Sequence, residues 1–150
     1  MTAVAGLFHV GIPVFDLERA IAFFRDLFGF QVVAEMGPVS ADSVVGVTGA
    51  RLRAVLLDGP AGRVELLKGD QWPPADLPPR VAPTFHLAFE VTDLNGVLAR
   101  VRALGYEVLS QQPWLAPGDH PIVPGMRVAY IEGPERLTVE LVERTGASPA

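Results

Sequence analysis

The chain has 150 residues, 49% of them hydrophobic, with a mean hydropathy of +0.31 and a net charge of −5. That is enough apolar material for one domain or for two small modules sharing a core, and the dispersed basic residues argue against a nucleic-acid or acidic-membrane partner. The lack of cysteine excludes disulfides, thiolate metal sites and cysteine nucleophiles. No run of about 18 apolar residues offers a membrane span, and residues 1–6 lack the basic region of a signal peptide. The expectation is a cytoplasmic protein that acts on a small molecule.

Residues 7–14 (LFHVGIPV) are apolar and β-branched and predict a strand. Asp16 stands where a helix N-cap belongs, Leu17, Ala20, Ile21, Phe24, Leu27 and Phe28 recur at helical spacing, and Gly29 offers a left-handed stop. A strand follows at 30–35, then a loop over 36–50, then strands at 51–58 and 63–68 separated by the turn Gly59-Pro60-Ala61-Gly62. The segment 70–83, with Pro73, Pro74, Pro78, Pro79 and Pro83, reads as a stiff linker, because proline removes backbone donors and fixes φ.

The second half repeats this order. A strand over 84–91 (TFHLAFEV) is followed by a helix capped by Asp93 and ended by Gly105. Strands at 106–111, 127–132 and 136–143 come next, with a turn at Gly133-Pro134-Glu135. His9 and His86 are 77 residues apart, as are Asp16/Asp93 and Leu17/Leu94, while Val64-Glu65-Leu66 and Val139-Glu140-Leu141 are 75 apart. Two copies of a βαβββ unit account for this spacing. Module 1 spans 7–69 and module 2 spans 84–144.

Alternation along the strands sets four residues apart. Phe8, Val10, Ile12 and Val14 share one face, with His9, Gly11 and Pro13 on the other. Phe85, Leu87, Phe89 and Val91 likewise oppose His86, Ala88 and Glu90. Glu65 opposes Val64 and Leu66, and Glu140 opposes Leu137, Val139 and Leu141 in the pattern of its strand. One short helix per module covers only one side of its sheet. The uncovered sides then form a shared concave surface carrying two imidazoles and two carboxylates, a donor set that suits Ni, Zn, Co, Mn or Fe as divalent ions. His120 reads as a loop residue, Arg51 and Arg53 as surface charges beside that concave face, and Trp72 and Trp114 as covers for a core edge.

The paired openings FHVGIPVFDLERAIAFFRDLFGF and FHLAFEVTDLNGVLARVRALGYEV, with the paired endings RVELL and TVELVE, resemble the vicinal-oxygen-chelate superfamily. That resemblance implies an α+β fold in which the two βαβββ modules form a half-closed, cup-shaped, eight-stranded mixed sheet with helices on its outer face. The order His, Glu, His, Glu is similar to glyoxalase I, which assigns His9, Glu65, His86 and Glu140 as ligands of one divalent metal. It also implies a lyase or isomerase that moves a proton next to a substrate oxygen held on the metal, with Glu140 as base and Glu65 as the alternative. Gly69 stands where bacterial glyoxalase I carries an asparagine for glutathione, and no Lys/Arg cluster suits a coenzyme A phosphate, so the co-substrate stays open. An Fe(II) extradiol-type dioxygenase and a drug-binding resistance protein are the alternatives of the same fold. Small domains of this kind are expected to pair as symmetric homodimers.

Overall fold

The computed structural model describes residues 7–40, 49, 51–70 and 86–145. The chain divides into two compact units, Met1–Leu77 and Pro78–Ala150. The fold is α+β, with one four-stranded and one five-stranded mixed sheet and a helix in each unit. The expected linker lies outside the described residues except for Asp70. Among the described residues no helix is long and apolar enough to cross a membrane.

In the first unit, β1 (Val10–Pro13) leads into α1 (Leu17–Phe28), followed by β2 (Gln31–Ser40), β3 (Arg51–Gly59) and β4 (Gly62–Gly69). The sheet order is β1-β4-β3-β2, with β1 parallel to β4 and the other pairs antiparallel. Asp16 caps α1 by accepting from the Arg19 amide at 3.0 Å. Gly29 ends the helix at φ 70°, where a side chain would be strained, and its amide donates to the Arg25 carbonyl. The buried stripe Leu17, Ala20, Phe23 and Phe24 packs on β3 and β4, where Val55, Leu57, Val64 and Leu66 are also buried. Phe23, Phe24 and Phe30 meet edge-on at 5.3–5.5 Å, and each such ring contributes about 1.5–3 kcal/mol by leaving water.

In the second unit, β5 (His86–Glu90), α2 (Leu94–Ala103), β6 (Glu107–Val108), β7 (Trp114–Leu115), β8 (Arg127–Glu132) and β9 (Thr138–Glu143) follow in order. The path is β5-β9-β8-β6, with β7 also paired to β8 and β5 parallel to β9. Asp93 caps α2 by accepting from the Gly96 amide, and Leu94, Leu98 and Val101 bury against Ile131, Val139 and Leu141. Among the described residues, none of the fully buried ones is polar or charged.

Several elements differ from expectation. The strand at 30–35 runs on to Ser40, through part of the expected 36–50 loop and with two register shifts against β3; residues 41–48 lie outside the described part. The strand expected over 106–111 is only Glu107–Val108, because the Ser110 hydroxyl accepts from the Tyr130 amide at 2.8 Å and takes the place of a ladder carbonyl. β7 is a short strand that the sequence placed in a loop. It brings the described strands to nine, one more than expected. The first strand does not begin at Leu7. Its ladder starts at Val10↔Val64, so His9 sits one residue before the strand. Phe8 is exposed rather than buried with Ile12 and Val14, and its ring lies under the Arg63 guanidinium at 5.5 Å.

Candidate metal centre

Each unit builds the same pair. His9 Nε2 lies 3.1 Å from Glu65 Oε2, and His86 Nε2 lies 3.1 Å from Glu140 Oε2. The cause is register. In the parallel ladder Gly11 is directly opposite Glu65, and Ala88 is directly opposite Glu140. In both units, therefore, the histidine sits two positions before the residue facing its glutamate, on the same side of the sheet. Gly11 and Ala88 are small residues at the facing positions. An added Cβ on Gly11 would come 3.4 Å from Leu67 Cδ1.

The helix takes the opposite side. Val64 and Leu66 are buried with Val55 and Leu57, and Val139 and Leu141 with Ile131 and Ala129, so the alternation read from the sequence holds in β4 and β9. All four site residues keep part of their surface open, the side chains of His9, Glu65 and His86 at 30%, 26% and 32% and that of Glu140 at 14%.

The inner nitrogens face the other way. His9 Nδ1 and His86 Nδ1 are buried without a hydrogen-bond partner among the described residues. Nε2 is thus the accessible nitrogen of each ring, beside a carboxylate oxygen, and this nitrogen and oxygen donor chemistry fits a borderline divalent cation. The usual acceptor that orients a ligating imidazole through its second nitrogen is missing in both units. The structure brings the four expected residues together as two pairs, each within its own unit. Among the described residues no group of three or more His, Asp or Glu side chains is positioned to hold a metal.

Tyr130 was not among the expected site residues. It lies directly opposite Glu140 across β8 and β9, and its ring meets that of His86 edge-on at 5.8 Å. Burial first, and then the Glu140 carboxylate, hold the phenol above its ordinary value of about 10. In the first unit Leu56 occupies the matching place opposite Glu65.

The other residues singled out from the sequence stand elsewhere. Arg51 and Arg53 share the face of Val55 and Leu57, opposite to that of Glu65, because Leu56 is the residue that pairs with Glu65. They do not flank the carboxylate. His120 has a structural role, its Nδ1 accepting from the amides of Ile122 and Val123 at 3.3 and 3.1 Å while its ring packs edge-on against Trp114. Trp114 is half-exposed on β7, and Trp72 lies outside the described residues.

The family model of the glyoxalase/bleomycin resistance protein/dioxygenase superfamily matches residues 6–141. The chain belongs to this superfamily. A glyoxalase family protein from Bacillus cereus is similar in structure over 97% of both chains, with a TM-score of 0.77 and 22% identity. The fosfomycin resistance protein FosX of Listeria monocytogenes, in its complex with Mn(II) and sulfate, is similar over 95% of this chain and 94% of its own, with a TM-score of 0.62 and 18% identity. A glyoxalase I mutant of Zea mays matches 93% of this chain and 44% of its own, with a TM-score of 0.66 and 19% identity. At these identities the likeness shows the shared fold. No curated protein matches the chain significantly.

Proposed function

We propose that the chain is a metal-dependent, glyoxalase I-like lyase or isomerase, with His9, Glu65, His86 and Glu140 as the ligands of one divalent ion. The observation that carries this reading is the repeated pair. Duplicated units keep an imidazole Nε2 3.1 Å from a carboxylate oxygen at the same register offset. A merely structural histidine has no reason to be retained twice on the side of the sheet opposite the helix. The Mn(II) complex of FosX lends support, since it places a divalent ion in a relative of the same fold.

A divalent ion held here would polarise a substrate carbonyl or hydroxyl and make the neighbouring C–H acidic. The remaining work falls to the chain. His9 and His86 have Nδ1 buried in the protein, so only Nε2 of each ring is open to a ligand. One glutamate, Glu140 or Glu65, accepts the substrate proton, a step typically worth about 10²–10⁴-fold in rate.

The test is hydrogen–deuterium exchange at the substrate carbon, with Mn²⁺- or Ni²⁺-loaded protein and hemithioacetals or acyl-CoA epimers. Exchange above the protein-free rate is expected. Oxygen uptake with catechols in its place would favour a dioxygenase, and tight ligand binding indifferent to chelator would favour a binding-only protein.

A further inference from the structure

We infer that His120 is a pH-operated latch: as a neutral imidazole it holds the loop from Pro117 to Met126 in place, and on taking up a proton it releases that loop together with Trp114. The device lies wholly within the second unit and is independent of the metal reading. Backbone bonds close the loop at its ends. The Ala116 amide donates to the Met126 carbonyl at 2.9 Å, and the Gly125 amide to the Pro117 carbonyl at 3.0 Å. The middle is held differently. Pro121 has no amide hydrogen, and the two amides that follow it, of Ile122 and Val123, both donate to His120 Nδ1 at 3.3 and 3.1 Å. One lone pair serves both donors. A neutral ring supplies that lone pair only in the tautomer that keeps its proton on Nε2, and an imidazolium has no lone pair at either nitrogen. Protonation sets an N–H against two N–H groups, which must then turn away to water.

Trp114 rests on the same ring, edge-on with 5.5 Å between centroids. It pairs with Val128 on β8, two residues from Tyr130, so its side chain lies on the side of the sheet that carries Glu140. The latch thus decides whether a half-exposed indole is held at the border of that face. The charged groups around the loop are Asp119 within it, Arg127 at the start of β8 and Arg144 just beyond β9. Arg127 is engaged by Glu143 and Asn95, and Arg144 by Glu90. Among the described residues no carboxylate forms an ion pair with His120, whose partners are the two amides and the indole. No neighbouring charge offsets the loss of the two bonds when the ring is protonated.

Amide-proton exchange of Ile122 and Val123 in the full chain tests this by NMR from about pH 8 to about pH 5, each rate divided by that of an unstructured peptide at the same pH. In wild type both protection factors should fall together toward acid by about fivefold or more, the scale for one lost hydrogen bond. Trp114 emission, read in a Trp72→Phe background, should change over the same range. His120→Asn puts near the place of Nδ1 a side-chain oxygen that takes up no proton in this range, so its protection should stay level. His9 and His86 remain in that variant, and any pH dependence they bring remains with them. Should His120→Asn fail to fold, the nitrogen NMR shift of His120 Nδ1 in wild type decides, because loss of protection should track its protonation. Protection that is unchanged in wild type at about pH 5, that is lost equally in wild type and His120→Asn, or that falls out of step with the Nδ1 shift would overturn the inference.

Discussion

Removal of Glu143 should loosen the start of α2 and, with it, the second unit. Glu143 Oε1 accepts from the Leu94 amide at 2.8 Å, the first residue of the helix, and Oε2 accepts from Arg127 Nη1 at 2.7 Å. Arg127 Nη2 in turn donates to Asn95 Oδ1 at 2.7 Å, so one carboxylate and one guanidinium tie β8 and β9 to the first turn of α2. Hydrogen bonds to charged groups contribute about 1.5–3 kcal/mol each, and an anion at a helix N-terminus about 0.3–1 kcal/mol. The side chains are 29% and 15% exposed, so solvent screening trims the ion pair. Glu143→Ala should therefore cost about 2–3 kcal/mol, which for a chain of this size lowers Tm by about 4–12 °C. Glu143→Gln keeps an oxygen for the Leu94 amide and loses the charge, and should cost about 1 kcal/mol. Urea denaturation of both variants, with hydrogen exchange of the Leu94 amide as the local readout, checks the ranking. A cost below about 0.5 kcal/mol for Ala, or equal effects of Ala and Gln with unchanged Leu94 exchange, would refute the reasoning.

The backbone and loop residues give further outcomes. Gly29→Ala meets nothing within 4 Å but forces φ 70° on a side chain, so its cost should be about 1–2 kcal/mol by denaturation. Gly59→Ala would put a Cβ 2.5 Å from the Phe30 ring, and overpacking of about 1–3 kcal/mol should appear as a lower melting temperature. His120→Ala should lose about 1 kcal/mol by freeing two amides, with no change in metal affinity by calorimetry. A large drop in metal affinity there would bring His120 into the site.

The sequence made the helices and the alternation of β4 and β9 legible because their signals are local. Asp16, Asp93 and Gly29 act within one turn of the chain, and alternation about Glu65 and Glu140 needs only the strand itself. What escaped depends on how one segment meets another. A turn of three residues at Gly133-Pro134-Glu135 would set Glu132 against Arg136 and Tyr130 against Thr138. The actual connection holds a 3₁₀ turn with Glu135 and Arg136 at positive φ, which pairs Glu132 with Thr138 and Tyr130 with Glu140. Arg51 and Arg53 are exposed, as surface charges should be, but only the β3–β4 register tells which face they share. His9 stands 3.1 Å from Glu65 although its strand is shorter than the sequence implies. The pairing depends on the parity of the chain and survives the loss of the first ladder bonds.

The central claim is that the two histidine–glutamate pairs serve one divalent ion, and metal analysis of purified protein tests it most directly. Wild type should retain about one Ni²⁺, Co²⁺, Zn²⁺ or Mn²⁺ per chain, and a chelator should lower its melting temperature, because a ligand bound only by the folded state stabilises it by about 2.7 kcal/mol at a hundredfold excess over Kd. His9→Ala and His86→Ala, each made singly, should both weaken that binding by at least tenfold, since each deletes a ligand from a different unit. Wild type that takes up none of these ions at micromolar concentration, or a His9→Ala variant that binds as tightly as wild type, would contradict it.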